Sequence, residues 1–201
     1  MSKLFFRYGA MNSGKSTAML QVAHNYEERA QRVVLVKSTV DTKGDDQIVS
    51  RLGVSRRADI LLSPGQDLRA SLTSLCDQRA AGERAVGCVL IDEAQFLTPE
   101  QVDQALEIAV LDDIPVVAFG IRTDFRTRSF PGSQRLMEVA HSLQEMKTIC
   151  RCGSKAIFNA RLGEQGIIRE GEQVMIDGDN ARYEALCARC YLDGTAEDDL
   201  R

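Results

Sequence analysis

Residues 9–16 read GAMNSGKS and fill every fixed position of G-x-x-x-x-G-K-[ST], and no other feature constrains the chain as much. Such a loop has to leave a buried strand and enter a helix, because its backbone N–H groups and the positive helix end converge on one anion. The flanks comply. Lys3 to Tyr8 suits a short strand, and Met19, Val22, Ala23 and Tyr26 recur at i, i+3, i+4 and i+7. That spacing predicts an amphipathic helix from Gly14 to about Arg29. Gly9 and Gly14 are expected to supply the backbone angles that turn N–H groups inward. Lys15 is expected to reach the β- and γ-phosphates and the Ser16 hydroxyl to ligate Mg²⁺. The loop thus implies a chain that binds a nucleoside triphosphate and transfers or hydrolyses its terminal phosphoryl group.

Beyond the loop, apolar strands alternate with helices. Arg32 to Lys37, Ala58 to Leu62, Gly87 to Ile91 and Ile114 to Gly120 read as strands, and the apolar runs suit burial on both faces. Asp67 to Ala80, Pro99 to Val110 and Gly132 to His141 read as helices, the second opened by Thr98 with Pro99 at its first position. This alternation predicts an α/β fold, a parallel sheet with helices on both faces. Ser38 to Asp46 and Asp124 to Pro131 read as mobile loops at the carboxyl ends of strands, where such sheets place ligands. From Thr148 the character changes to paired cysteines and glycines. The expected organisation is a nucleotide-binding domain over 1–147, a small cysteine-bearing domain over 148–194 and a frayed acidic tail over 195–201.

CVLIDEAQF, residues 88–96, is an apolar strand ending in two carboxylates. Asp92 fits the second magnesium-binding element of a phosphate-loop enzyme, and Glu93 beside it can accept a proton from an attacking hydroxyl or water. His24 and His141, each placed on a helix, read as surface or packing residues, which leaves a carboxylate as the general base. Cys150, Cys152, Cys187 and Cys190 form C-x-C and C-x-x-C pairs around residues 153–186. Four thiolates suit tetrahedral structural zinc, stapling a segment that lacks its own core. A redox dithiol is the alternative, although neither pair is expected at a helix start after a strand. Cys76 and Cys88 read as core. The net charge of −4 argues against a nucleic-acid partner, and Arg122, Arg126, Arg128 and Arg135 read as a solvated face. No apolar run is long enough for a membrane helix, so a cytoplasmic protein is expected.

Taken together these pieces resemble the thymidine kinase family of the phosphate-loop, zinc-containing type. The resemblance rests on GAMNSGKST at 9–17, IDEAQF at 91–96, GIRTDFRTRSF at 120–130, TICRCG at 148–153, and EGEQVMI with RYEALCARC between 170 and 190. It implies a RecA-like nucleotide fold, a zinc-ribbon-like segment with a lasso loop, and ATP-dependent phosphorylation of the 5′-hydroxyl of thymidine, with deoxyuridine a further acceptor. It implies Glu93 as base, with Lys15 and Lys43 assisting phosphoryl transfer. ATP would be held by Gly9, Ala10, Met11, Asn12, Ser13, Gly14, Lys15, Ser16 and Thr17 together with Asp92 and Gln95. Ser16 and Asp92 would hold Mg²⁺ and the four cysteines Zn²⁺. The nucleoside would meet Met11, Phe96, Phe125, Phe130 and Asn159, with Val174, Ile176, Gly178 and Tyr183 of the lasso above it. A homotetramer inhibited by thymidine triphosphate is implied as well. Lys43 stands where the family commonly has arginine, Asn159 is polar where the thymine methyl would lie, and the lasso IDGDNARY reads one residue longer than usual. A nucleic-acid-stimulated ATPase with a zinc ribbon is the alternative reading of D-E-A-Q. The chain has no room for a second motor lobe and no basic run among the cysteines.

Overall fold

The computed structural model describes residues 1–41, 46–50, 53–78, 84–164, 166–173 and 182–194. Along the chain come β1 (Leu4–Tyr8), α1 (Lys15–Glu28), β2 (Arg32–Ser38), β3 (Gln47–Val49), β4 (Ser55–Arg57) and β5 (Ile60–Leu62). Then follow α2 (Leu68–Asp77), β6 (Val86–Asp92), α3 (Pro99–Val110), β7 (Val116–Gly120), α4 (Pro131–Val139) and β8 (Ser142–Glu145). Six strands make one sheet in the order β5-β2-β6-β7-β1-β8, and every pairing is parallel.

Alternation within the apolar runs decides which helices cover which face. Val34, Val36, Val89, Ile91, Val116 and Ala118 point to one side and pack with Leu72 of α2, Val102 and Ile108 of α3, and Leu136 of α4. Their neighbours Val33, Leu35, Cys88, Leu90, Val117 and Phe119 point to the other and meet Met19, Leu20 and Ala23 of α1. Burying one such side chain contributes about 1.5–3 kcal/mol, so a sheet apolar on both faces holds its helices on both. α3 opens with the full capping box, Thr98 accepting from Gln101 N–H while the Gln101 side chain accepts from Thr98 N–H.

Several expectations change. β8, whose SLQE is polar, is a strand outside the sequence expectations; it lies at the sheet edge with three of four residues exposed. The hairpin β3–β4 also lies in a polar stretch without clear alternation. α4 begins at Pro131 and ends at Val139, which puts His141 beyond the helix, its Nδ1 accepting from Leu4 N–H. Asp124 to Pro131 is not a loose loop: the Asp124 carboxylate gathers the N–H groups of Arg126 and Arg128, at 2.9 and 2.8 Å.

After β8 the chain makes the two-stranded β9 (Thr148–Ile149) and β10 (Lys155–Ala156). It goes on to β11 (Phe158–Gly163), β12 (Gly166–Ile168), β13 (Arg182–Leu186) and α5 (Ala188–Asp193). β12, β11 and β13 pair antiparallel in that order. Contrary to expectation this segment has a small core of its own, where Ala156, Ala160, Ala185, Leu186 and Tyr191 pack with three of the cysteines. Ala10 of the phosphate loop belongs to the same cluster.

Candidate active site

The phosphate loop leaves the carboxyl end of β1, and the two glycines serve it differently. Gly14 adopts φ +77°, a left-handed conformation, and its missing Cβ would point into open space. Gly9 needs no unusual φ; it is required because a Cβ there would lie 2.4 Å from the Met146 carbonyl. The Lys15 ammonium donates back to the carbonyls of Gly9 and Ala10, at 3.3 and 3.1 Å. α1 starts immediately after Gly14 with no side-chain cap, so its first N–H groups stay available to an anion. Met11 N–H is committed elsewhere, donating to Asn159 Oδ1 at 2.7 Å.

Across the neighbouring strand β7, β6 ends in Asp92, which is 6% exposed. Burial, and then the negative charge of Glu93, push its carboxyl up to about 7, while the N–H of Glu93 and the charge of Lys15 pull the other way. A carboxylate so placed fits a cation. Lys37 at the end of β2 pairs in register with Asp92 and is 1% exposed. Its ammonium meets the Asp41 carboxylate at 3.3 Å and the Gln47 carbonyl at 3.2 Å. Glu93 itself adopts φ +46° and ψ 44°, a strained choice for a residue with a Cβ. That conformation turns the chain into a single 3₁₀ turn, Ala94–Phe96, from which the buried Gln95 reaches back. Its Nε2 donates to Glu93 Oε2, and its Oε1 accepts from Ile121 N–H at 3.1 Å. Gln95 thus ties the Glu93 carboxylate to the backbone at the end of β7.

Phe96 and Phe130 stand edge to face, with centroids 5.7 Å apart. Phe125 is 2% exposed, with the guanidiniums of Arg126 and Arg161 over its ring at 5.7 and 5.5 Å from the centroid. Its loop is held from the cysteine segment at alternate carbonyls. Asn159 Nδ2 donates to Thr123 O at 3.2 Å, and the Tyr191 hydroxyl donates to Phe125 O at 2.8 Å. Between them Asp124 takes Arg126 and Gln173, and Arg126 also donates to Gly171 O at 2.9 Å.

The sulfurs of Cys150, Cys152, Cys187 and Cys190 lie within 4.8 Å of one another. Hydrogen bonds from Ser154 hold Cys152 down to about 6, whereas burial and the surrounding thiols push Cys190 up to about 12. Four convergent sulfurs fit one tetrahedral metal. Cys187 does cap α5 directly after β13, the helix-start placement that the sequence spacing had counted out. What separates the cluster from a redox dithiol is the convergence of both pairs.

A thymidine kinase family profile matches residues 2–191. A thymidine kinase from Idiomarina loihiensis is 49% identical over 191 residues, covering 94% of this chain and 95% of that protein. Those of Legionella pneumophila and Chromobacterium violaceum are 47% and 46% identical, over 98% and 95% of this chain and 92% and 98% of their own. The chain belongs to the thymidine kinase family. As a family member it is a transferase.

Within that family frame, the structure brings Asp92, Glu93 and the phosphate loop to the ends of β6 and β1, with β7 between them, and places Asn159 of β11 against the phosphate loop and the loop that carries Phe125. Tyr183 lies on β13, opposite Arg161 of β11. Lys43, Val174, Ile176 and Gly178 fall outside the described residues, as does the tail from Thr195. Sequence reasoning missed Lys37, Asp124 and Tyr191. A lysine closing an apolar strand and an aspartate followed by two arginines were the available signals. Of the four arginines read as a solvated face, Arg126 is bound to Asp124, and Arg135 meets Asp103 and Glu138. No helix among the described residues is long and apolar enough to cross a membrane.

Proposed function

We propose that the chain transfers the γ-phosphoryl group of ATP to the 5′-hydroxyl of thymidine, with deoxyuridine as a second acceptor. The observation that carries this reading is Glu93, strained in backbone and oriented by Gln95, at the strand end beside Asp92 and one strand from the phosphate loop. The loop amides, the α1 N-terminus and Lys15 bind the triphosphate and stabilise the charge of the transferring group. The nucleoside lies against Phe96 and Phe130 with its 5′-oxygen toward Glu93. That oxygen bonds to the γ-phosphorus as the bond from phosphorus to the β,γ-bridging oxygen breaks. The hydroxyl proton passes to the Glu93 carboxylate, and ADP leaves. Ser16 and Asp92 would hold magnesium, which supplies charge neutralisation at the phosphates when bound. The four cysteines would hold zinc as a structural crosslink. Arg126 and Gln173 tie residues 171–173, the approach to the lasso, to the nucleoside loop, which suits a cover that keeps water out. Salvage of pyrimidine deoxynucleosides in the cytoplasm, a tetrameric state and feedback by thymidine triphosphate belong to the same reading.

The test is ADP release in the presence and absence of thymidine. Thymidine-stimulated turnover is expected, and Glu93→Gln should lower kcat by about 10²–10⁴ while an ATP analogue still binds. Turnover of ATP indifferent to thymidine overturns the proposal.

A further inference from the structure

Asn159 sits at 4% exposure on β11, between the two loops that would carry the two substrates. Its neighbours fix which way the amide faces. Met11 N–H can only donate, so it must meet Oδ1; Thr123 O can only accept, so it must meet Nδ2. One rigid plane therefore joins the phosphate loop, at 2.7 Å, to the loop after β7, at 3.2 Å. Asparagine suits this place: it presents an acceptor and a donor on one short, planar group. The arrangement differs from a side chain reading a thymine methyl, since both ends of the amide are occupied by backbone.

We propose that Asn159 is a positioning residue that couples the phosphate loop to the nucleoside loop, so that occupancy at one is felt at the other. This rests on the kinase reading above. Moving Thr123, two residues from Phe125, pulls on the amide and through it on Met11, which precedes the left-handed Asn12 at φ +66°. Other ties sit at the margins of the two loops. Gly9 N–H donates to Gly120 O at 3.2 Å where β1 and β7 end, and the exposed Thr148 hydroxyl reaches Asn12 O only at 3.4 Å, so Asn159 is the side chain that bonds to both loops at Met11 and Thr123. A buried amide that loses either partner leaves an unpaired group away from water, which gives both loops a shared stake in one geometry.

Two variants test it. Asn159→Leu keeps the branched shape of the side chain, with bulkier methyls, and removes both bonds; Asn159→Asp keeps an acceptor for Met11 and loses the donor to Thr123. Steady-state kinetics with thymidine and with deoxyuridine are combined with calorimetry of a non-hydrolysable ATP analogue, alone and with thymidine. For Asn159→Leu, both KM values rise by about tenfold, kcat falls, and the effect of thymidine on analogue affinity disappears. The ratio of kcat/KM for thymidine over deoxyuridine stays at the wild-type value. Asn159→Asp retains analogue affinity and loses thymidine affinity. A changed thymidine-to-deoxyuridine ratio with unmoved ATP parameters overturns the proposal in favour of direct base contact. A lowered Tm with wild-type kinetics in the folded enzyme overturns it in favour of packing alone. If the wild type ignores thymidine, the kinase reading falls instead. Analogue affinity then still decides the Met11 half: weakened by Leu and kept by Asp supports it, unchanged by Leu overturns it.

Discussion

Replacing Gly132 by alanine sets two effects against each other. Gly132 is the second residue of α4, and alanine is better in a helix interior by about 1 kcal/mol, so propensity alone predicts a more stable protein. Packing predicts the reverse. A Cβ at this position would lie 2.5 Å from Leu97 O, 2.8 Å from Ala94 O and 3.0 Å from Gln95 O. All three are backbone carbonyls, so no rotamer change relieves them. Reaching an ordinary C···O separation of about 3.3 Å requires α4 and the 3₁₀ turn to part by roughly 0.8 Å. Overpacking of this kind costs about 1–3 kcal/mol, and the lack of an escape puts Gly132→Ala near the upper end. Near a helix terminus the propensity gain is smaller than in the interior, so packing wins. For a chain of this size the Tm should fall by roughly 4–10 °C. The turn that moves carries Gln95, which orients Glu93, so kcat should fall by about tenfold or more with little change in the KM for ATP. Thermal unfolding and steady-state kinetics read both. A Tm equal to or above wild type refutes the packing argument, and a normal kcat beside a lowered Tm refutes the link to Glu93.

Gln95→Leu removes the amide that holds Glu93 and leaves Ile121 N–H unpaired; kcat should drop about 10–100-fold while analogue binding, followed by fluorescence, stays near wild type. Asp92 is raised in the folded protein from 3.8 to about 7, so ionising it in place opposes folding in the metal-free state. That cost is fully present above about pH 7, shrinks as pH falls through 7 and is gone below about 4. Asp92→Asn without magnesium should therefore be more stable than wild type at pH 8 and lose that advantage near pH 4, as denaturant titrations at the two pH values would read. For the wild type, magnesium affinity should weaken below about pH 7, because a proton competes for the same carboxylate. Cys152→Ser should lower bound zinc, measured by elemental assay, together with Tm; unchanged zinc content would count against a four-sulfur site.

The six-stranded sheet was legible wherever a strand is buried on both faces. RVVLVKS and VGCVLID announce themselves because their interior residues, Lys37 apart, are apolar or glycine. β8 and the β3–β4 hairpin lie where water takes one or both faces, so composition carries no signal there. The same contrast runs through the site. Gly14, Lys15, Asp92 and the cysteines were legible because their spacing along the chain is itself the motif. The protein bonds that Gln95 and Asn159 make were not legible in the same way. Their partners, Ile121 and Met11, lie 26 and 148 residues away, a distance no local pattern encodes.

That last separation bears on how the protein is born. β1 and the phosphate loop leave the ribosome before the rest of the sheet, yet β1 takes as sheet neighbours β7 and β8, both more than a hundred residues later. Ala10 packs into a cluster completed only by Tyr191, and Met11 waits for Asn159. Contacts so far apart are slow to close, because the intervening chain must be tamed first. The phosphate loop, although it precedes these partners in the chain, can take its full set of contacts only after they are made. A fragment ending before β11 keeps the six-stranded sheet and the motif but loses the bond to Met11 and the packing on Ala10, so it should bind ATP more weakly than the whole chain, as calorimetry would read.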